Sequence, residues 1–222
     1  MSELTQVFLI ILSIVIVLVL ESFKKPKLEF SIGDFGEIKQ NDPFGRIPSK
    51  WTHVFVSNKP MPKILSWIWD RSPALGCRGW ITFHDLDGQD LFGRKMTIRW
   101  VNNPEPLSLS SVDPKTGAPI GSIDWDKMRV GHLWDIPPGP LEHKDYGSLD
   151  VVFRSADDEN CYGWNNDAYL HNWKNPEWKL GQGRYLAKIV IKTGGQIFTE
   201  TVQVMNQGRF EDFRLEPSSR KL

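Results

Sequence analysis

The 222-residue sequence has few of the residues and patterns from which a chemical activity is usually inferred. It has two cysteines, Cys77 and Cys161, which are too few for a disulfide-stabilised scaffold and lack the spacing of a zinc or redox motif. It has no GxSxG, HExxH, P-loop or GxGxxG motif. The sequence therefore predicts no catalytic residue, no cofactor and no metal site, and we expect a protein that is not an enzyme.

The chain also lacks an excess of charge of either sign. Lysine and arginine total 27, aspartate and glutamate also total 27, and the formal net charge is zero. A nucleic-acid-binding protein needs a concentrated basic face, and the one dense group of basic residues consists of Lys24, Lys25 and Lys27. We therefore expect no nucleic-acid partner.

A long apolar run at the N-terminus is the strongest pattern that is present. From Val7 to Leu20 only Ser13 interrupts it. Residues 4–20 would form roughly 26 Å of helix at about 1.5 Å per residue, near the lower limit for crossing a bilayer core of about 30 Å. The sequence predicts a single-pass transmembrane anchor with a basic flank in residues 1–26, with the lipid bilayer as partner of residues 4–20.

The residues on either side of this run distinguish an anchor from a cleaved secretory signal, which is the alternative. A signal peptide begins with basic residues, whereas the flank MSELTQ has no lysine or arginine. Lys24, Lys25 and Lys27 follow the run, so the positive-inside rule predicts an N-terminus outside the cell membrane and a cytoplasmic C-terminal domain. We expect these three lysines to contact anionic lipid head groups.

After the anchor the apolar pattern has a period of two, which predicts β-strands. Turn residues such as Asp87-Gly88 and Gly194-Gly195 separate the strands, because glycine adopts positive φ without a Cβ clash. Residues 27–222 are therefore predicted to form one mainly β domain, an antiparallel two-sheet sandwich. The predicted strands are 27–32, 51–58, 77–84, 94–100, 148–154, 184–192, 196–206 and 209–215.

Three stretches, ALGCRGWITFHDLDG, LDVVFR and LGQGRYLAKIVIKTGGQIF, resemble the immunoglobulin-like β-sandwich of uncharacterised prokaryotic single-pass membrane-anchored proteins. Ala74 and Cys77 match an Ala-x-x-Cys strand, and Gly183-Arg184-Tyr185 matches a Gly-x-Tyr entry to a late strand. The resemblance implies an immunoglobulin-like fold in which the Tyr185 hydroxyl ties a corner between strands. It implies no particular function, since such sandwiches serve many roles.

The cysteines and the residues that suggest metal binding are interpreted as structural. Cys77 alternates with polar neighbours in a strand, and we expect it to be buried and, like Cys161, reduced. A disulfide between the two is the alternative if the domain is extracytoplasmic. The carboxylates of Asp85, Asp87 and Asp90 lie where a turn is expected, and the histidines are interpreted as packed or surface residues.

One segment is unusually rich in aromatic residues that alternate with asparagines. Flat rings beside amide groups stack on sugar rings and hydrogen-bond to hydroxyls, or anchor a protein interface. We predict that this segment is the binding surface, and packing of the rings in the core is the alternative. Its aromatic residues are Tyr162, Trp164, Tyr169, Trp173 and Trp178.

Two further segments are long enough to carry loops of functional interest. In residues 59–73, Trp67 and Trp69 lie among basic residues, and we expect them to contact the membrane; core packing is the alternative. Residues 101–140 are rich in proline and glycine and too long for a simple connection.

These patterns together predict a membrane-anchored, non-enzymatic interaction or scaffolding domain with a protein partner of unknown identity. The alternative is a carbohydrate-binding module on the outer face of the membrane. An enzyme is the third possibility, because no nucleophile, metal set or phosphate cradle is recognisable.

Overall fold

The chain begins with a helix, α1 (Glu3–Lys24), of which no residue is buried against the rest of the protein. In the part of the chain that is described, α1 is the one helix long and apolar enough to span a membrane. Its 22 residues correspond to about 33 Å at about 1.5 Å per residue. The computed structural model describes residues 3–38, 47–64, 66, 70–112, 119–130, 132–139 and 146–222.

The described residues after α1 are mainly β, as the sequence predicts. In chain order the strands are β1 (Leu28–Ile32), β2 (Gly36–Ile38), β3 (Ser49–Asn58), β4 (Ala74–His84), β5 (Met96–Thr97), β6 (Arg99–Trp100), β7 (Leu107–Val112), β8 (Pro119–Ile123), β9 (Trp134–Ile136), β10 (Gly147–Ser155), β11 (Cys161–Gly163), β12 (Lys179–Leu180), β13 (Gly183–Thr193), β14 (Gln196–Asn206) and β15 (Arg214–Pro217). The helical segments among them are α2 (Trp125–Val130) and two short 3-10 helices, Asn166–His171 and Pro176–Trp178.

The strands form two large antiparallel sheets and a small hairpin. The first sheet has the order β1-β3-β10-β11-β12, with β2 also paired to β3 and β6 also paired to β10. The second sheet has the order β15-β14-β13-β4-β5, with β9 also paired to β4. The hairpin consists of β7 and β8.

Buried side chains of both large sheets form one apolar core. Alternate residues of each strand point to the same face of a sheet, so each strand contributes every second side chain. This sharing of one core is the arrangement that the period-two pattern predicts. Core residues from the five central strands are Val54, Val56, Ile81, Phe83, Leu149, Val151, Ala187, Ile189, Val202 and Val204.

The predicted strand 94–100 is wrong as a single element, because the chain changes sheets within it. β5 pairs with β4 in the second sheet, whereas β6 pairs with β10 in the first. Ile98, between them, is 2% exposed. Apolar and polar residues continue to alternate from Met96 to Trp100, so the sequence pattern contains no sign of the crossing.

The turn predictions are confirmed, and the long segment 101–140 contains regular structure. Gly194 and Gly195 have φ values of 52° and 76° and connect the paired residues Thr193 and Gln196, as a two-residue hairpin requires. β7, β8, α2 and β9 all lie within residues 101–140. That segment is therefore an elaboration of the fold and not a plain loop.

Candidate functional site

The five aromatic residues predicted to form a binding surface lie in two environments. Tyr162, Trp164 and Trp178 are buried, with exposed fractions of 6%, 3% and 4%, whereas Tyr169 and Trp173 are half-buried. Trp178 packs in the core shared by the sheets. The five rings therefore do not form one exposed platform.

Four of these rings belong to a separate aromatic cluster on the first sheet. We use this name for Trp51, Phe153, Tyr162, Trp164, Ala168, Tyr169 and Trp173. Trp51 and Phe153 are paired in register on β3 and β10, and the ring centroids of Trp51 and Trp173 are 5.5 Å apart at 69°. Edge-to-face contacts of this kind stabilise aromatic pairs beyond the burial of their area.

An unusual backbone conformation places Trp173 in the cluster. After the 3-10 helix Asn166–His171, Asn172 and Trp173 have positive φ values of 47° and 70°. The amide of Trp173 donates a hydrogen bond to the carbonyl of Ala168, at 2.8 Å, which closes this return of the chain. Positive φ is unfavourable for a bulky residue, and such strain is found most often at functional sites.

A cleft of about 270 Å³ opens beside this cluster. Trp51, Tyr169 and Trp173 line it, and all three are only partly buried. Polar side chains line it as well. We call this the aromatic cleft, and its lining residues are Gly36, Ile38, Trp51, His53, Arg99, Val101, Glu105, Asp150, Trp164, Tyr169 and Trp173.

Strand register brings the polar residues of the cleft together. Asp150 on β10 is directly opposite His53 on β3 and opposite Arg99 on β6. Nη1 of Arg99 donates a hydrogen bond to Oδ2 of Asp150 at 2.7 Å. Nδ1 of His53 lies 3.1 Å from Oδ1 of the same carboxylate, without the alignment of a good hydrogen bond. The carboxylate thus contacts two neighbouring strands.

The hydrogen bonds of His53 indicate which ring nitrogen carries the proton. The amide of Gly36, which can only donate, lies 3.1 Å from Nε2. Nε2 must therefore accept, and in the neutral ring the proton is on Nδ1, beside Asp150. Both nitrogens have neighbours in the fold, so this histidine has no free nitrogen with which to accept a proton from a bound molecule.

Arg99 is the buried cation of the cleft, and it has unused hydrogen-bonding capacity. Its side chain is 5% exposed, and burial alone would lower its pKa, but the adjacent Asp150 carboxylate outweighs that effect and raises the pKa. Nε and Nη2 make no hydrogen bond to the described residues. The guanidinium lies 5.7 Å from the centre of the Tyr169 ring. Its remaining N–H groups are available to a ligand in the cleft.

Sequence reasoning found Trp164, Tyr169 and Trp173 from their local density, but it missed Trp51, Arg99 and Asp150. These three lie on strands far apart in sequence and meet only through sheet pairing. His53 was identified as a strand residue but not as part of a site. A buried charged residue in an apolar strand, such as Asp150 in LDVVFR, is the one local signal that was present.

The cysteines are buried and unpaired, and neither lines the cleft. Burial raises the pKa of Cys77 to about 11 and that of Cys161 to about 12, so both are thiols at neutral pH. Within the described ranges no three His, Cys, Asp or Glu residues are placed to hold a metal ion. The carboxylates of Asp85 and Asp90 accept hydrogen bonds from nearby backbone amides, as turn residues do.

The predicted membrane-contact residues lie at the start of the β domain. Lys24 is the last residue of α1, and its ammonium is 2.7 Å from Glu21. Lys25 and Lys27 follow in the segment between α1 and β1. Trp67 and Trp69 lie outside the described residues, so contact of all five with lipid stays a prediction.

Comparison of the chain with family models, with curated proteins and with solved structures found no match.

Proposed function

We propose that this protein is a single-pass membrane protein whose β domain binds a partner protein through the aromatic cleft, without catalysis. α1 is the anchor, and the two sheets form an immunoglobulin-like sandwich. The observation that supports this most directly is the cleft itself, which half-buried Trp51 and Trp173 line together with buried Arg99 and its unused N–H groups.

The anchor and its orientation rest on α1 and its flanks. A helix of about 33 Å matches a bilayer core of about 30 Å, and its apolar side chains have no burial inside the protein. Lysines follow the helix and none precedes it, which favours a cytoplasmic β domain. A reporter fused after Leu222 should then behave as cytoplasmic, and robust activity of an extracytoplasmic reporter there would contradict the orientation.

The immunoglobulin-like assignment is supported by the corner at Tyr185. Its hydroxyl donates a hydrogen bond to the carbonyl of Gln182, three residues upstream, at 3.3 Å. Such a bond from a tyrosine back to the preceding backbone is a hallmark of these sandwiches. Cys77 and Cys161 also lie on strands of different sheets and are both part of the shared core.

The size of the aromatic cleft suggests what it binds. About 270 Å³ is just below the roughly 300 Å³ of the smallest ligand pockets, so the cleft accommodates one ring-sized group. Partly exposed aromatic residues beside a buried arginine are the composition of a protein-binding hot spot. A single side chain of a partner, seated against the tryptophans and hydrogen-bonded by Arg99, fits this description.

The state of the buried polar groups argues against acid–base chemistry by His53 and Asp150, while Glu105, the exposed carboxylate of the cleft, has no hydrogen bond among the described residues that would position it as a base. A general base must have a free acceptor within reach of the substrate proton. In His53, Nε2 already accepts from Gly36, and Asp150 holds Arg99 with one oxygen while the other faces His53. These groups therefore position Arg99 and do not themselves receive a proton.

Crosslinking in living cells tests the proposed interaction. A photo-crosslinking benzoylphenylalanine at Val101, which lines the cleft and is 38% exposed, should capture a protein of defined mass. The same residue at Ile197, which is 62% exposed on β14 of the other sheet, is the matched control. Trp173→Ala should remove the Val101 adduct. Equal adducts at both positions, or none at Val101, would contradict the proposal.

Carbohydrate binding is the second candidate, because Trp51 and Trp173 offer partly exposed flat rings beside hydrogen-bond donors. Titration of the full-length protein in zwitterionic micelles with soluble glycans would then change its tryptophan fluorescence. Trp173→Ala should abolish that change, whereas Trp125→Ala, at a ring that is 62% exposed on α2, should not. Sugar binding would place the domain on the outer face and overturn the cytoplasmic orientation.

A further inference from the structure

A second concave site, distinct from the aromatic cleft, lies beside the end of α1. It is a groove of about 530 Å³ between β1, the end of β3 and the segment that follows it. Four of its lining residues are basic and one is acidic. We call it the juxtamembrane groove, and its lining residues are Lys27, Glu29, Ser57, Lys59, Pro60, Met61, Pro62, Lys63, Arg71 and Gly139.

Hydrogen bonds fix this groove to the segment that leaves α1. Ser72 N donates to the carbonyl of Lys24 at 2.8 Å, and Nη1 of Arg71 donates to the carbonyl of Lys25 at 2.7 Å. Two residues further on, the Lys27 amide donates to Oδ1 of Asn58 at 3.0 Å. Lys27 is three residues beyond the helix, which at about 3.5 Å per residue is at most about 10 Å of chain. The groove therefore lies within reach of lipid head groups at the end of α1.

Arg71 is the unusual residue of the groove. It is 8% exposed, and its Nε is buried with no hydrogen-bond partner among the described residues. None of the ion pairs in that part of the chain includes it. Burial of its guanidinium lowers the pKa of Arg71. A buried cation without a counter-charge destabilises the fold, so a bound anion beside this residue would be stabilising.

The other charges of the groove do not supply that anion. Glu29 is its one acidic lining residue, and this carboxylate is 2.6 Å from the ammonium of Lys59. Lys27 and Lys63 add two exposed positive charges at the rim. The lining thus carries a net positive charge with the guanidinium of Arg71 at its interior.

We propose that the juxtamembrane groove binds the phosphate of one anionic phospholipid from the leaflet in which α1 ends. The Arg71 guanidinium donates the central charge-assisted hydrogen bonds, for which its planar fork is suited, and Lys27 and Lys63 add attraction at the rim. This site depends on α1 being a membrane anchor, which is part of the proposed function, but it is independent of the aromatic cleft. It provides a way in which the domain is held at a defined orientation to the bilayer.

Native mass spectrometry of the full-length protein in neutral detergent tests the proposal, with phosphatidylglycerol, phosphatidylcholine and inorganic phosphate as separate probes. We expect one phosphatidylglycerol to bind to each chain in preference to phosphatidylcholine. Arg71→Gln should weaken that binding about tenfold or more, as loss of a hydrogen bond to a charged group implies. Arg78→Gln, at an exposed arginine of β4, should leave it unchanged.

Lys63→Gln tests the same site without altering a buried residue, and Lys179→Gln, at an exposed lysine of β12, is its matched control. Lys63→Gln should weaken phosphatidylglycerol binding a few-fold and Lys179→Gln should not. Equal binding of both lipids, or equal losses in a variant and its control, would overturn the site. Binding of inorganic phosphate as strong as that of phosphatidylglycerol would overturn the lipid as the source of the anion. None of these results depends on the cleft, so crosslinking at Val101 tests the other proposal separately.

Discussion

Two buried arginines, Arg99 in the aromatic cleft and Arg71 in the juxtamembrane groove, are held in opposite ways. Arg99 is 2.7 Å from the Asp150 carboxylate, and its pKa is raised, whereas Arg71 has a backbone carbonyl as its partner and a pKa that burial lowers. The first cation is compensated within the fold. The second is compensated only if something binds beside it.

In a third buried arginine, Arg154, every guanidinium nitrogen donates a hydrogen bond although the side chain forms no ion pair. It donates to Oδ1 of Asn206 and to the carbonyls of Gly208, Arg209 and Asp158. Its guanidinium therefore bonds through all three nitrogens and stabilises the end of the domain near β15. Burial alone does not mark an arginine as functional; unused donors in a concave site do.

The largest expected effect is that of Asp150→Asn, which would leave Arg99 buried without a counter-charge, as Arg71 is. Removing one partner of a buried ion pair leaves an uncompensated charge and costs about 3–5 kcal/mol. We expect this loss in guanidinium unfolding of the full-length protein in zwitterionic micelles, followed by tryptophan fluorescence. Asp126→Asn, at an exposed carboxylate of α2, should change the unfolding free energy by less than about 0.5 kcal/mol.

Replacing both partners sharpens the same test. The double variant Arg99→Met/Asp150→Leu should be more stable than Asp150→Asn, because two apolar side chains leave no buried charge. Arg71→Gln in the same lipid-free micelles should cost less than about 1 kcal/mol, since it removes a cation that has no counter-charge. If Arg71→Gln lowered the free energy of unfolding as much as Asp150→Asn, the inference that Arg99 is compensated and Arg71 is not would be wrong.

The second prediction separates the two environments of the aromatic residues. Trp164→Ala should cost about 3–5 kcal/mol because this ring is 3% exposed and contacts several other rings. Trp173→Ala should cost about 2 kcal/mol less, since its ring is half-buried and less apolar area is lost from the fold. Thermal unfolding of both variants measures the difference. Equal losses would mean that Trp173 is a core residue and would weaken its role in binding.

The third prediction concerns pH and the loop that leads into the aromatic cluster. Burial raises the pKa of Asp158, but hydrogen bonds from Asn160 and Tyr162 and the charge of Lys174 outweigh it, and the pKa is lowered. A hydrogen bond from the Ser155 hydroxyl, together with Lys174, lowers the pKa of Asp157. A lowered pKa means that the folded state prefers the carboxylate form. Its stabilisation is complete above the unfolded pKa of about 4 and is lost as the pH falls through the folded value.

Acid unfolding from pH 6 to pH 2 measures this effect. Asp158→Asn should make the free energy of unfolding less dependent on pH below about pH 4. The packing that depends on Asp150 should be nearly unchanged at neutral pH. The effect should be smaller than that of Asp150→Asn, since the loop lies at the surface. An acid dependence that was unchanged in Asp158→Asn would show that this carboxylate does not support the aromatic cluster.

Most of the fold was predictable from the sequence because its signal is local. Alternation of apolar residues marks strands such as β13 and β14, and the glycine pair between them marks their turn, so each prediction needed only a few neighbouring residues. The crossing between β5 and β6 was not predictable, since apolar and polar residues alternate without interruption from Met96 to Trp100 while the chain changes sheets. The order of strands in the sheets also has no local signal.

Half of the candidate site was predictable for the same reason. Trp164, Tyr169 and Trp173 lie within ten residues of one another, and their density was visible. Trp51, Arg99 and Asp150 join them through pairing of β3, β6 and β10, which are separated by long stretches of chain. The juxtamembrane groove depends on hydrogen bonds between the end of α1 and the segment after β3, and of its lining residues only Lys27 was expected to contact lipid.

The smallest expected effect is that of Tyr185→Phe, which tests the corner away from both arginines. The resemblance to immunoglobulin-like domains implies that its hydroxyl ties two strands, and the hydroxyl does donate to Gln182 O. At 3.3 Å and on a half-buried side chain, this bond is weak, and we expect a loss of about 0.5 kcal/mol in guanidinium unfolding. Tyr185→Leu should cost more, because it also removes ring contacts with the core. A Tyr185→Phe variant as stable as the parent would remove the corner from the argument for an immunoglobulin-like fold, and lipid binding at Arg71 should be unaltered in either variant.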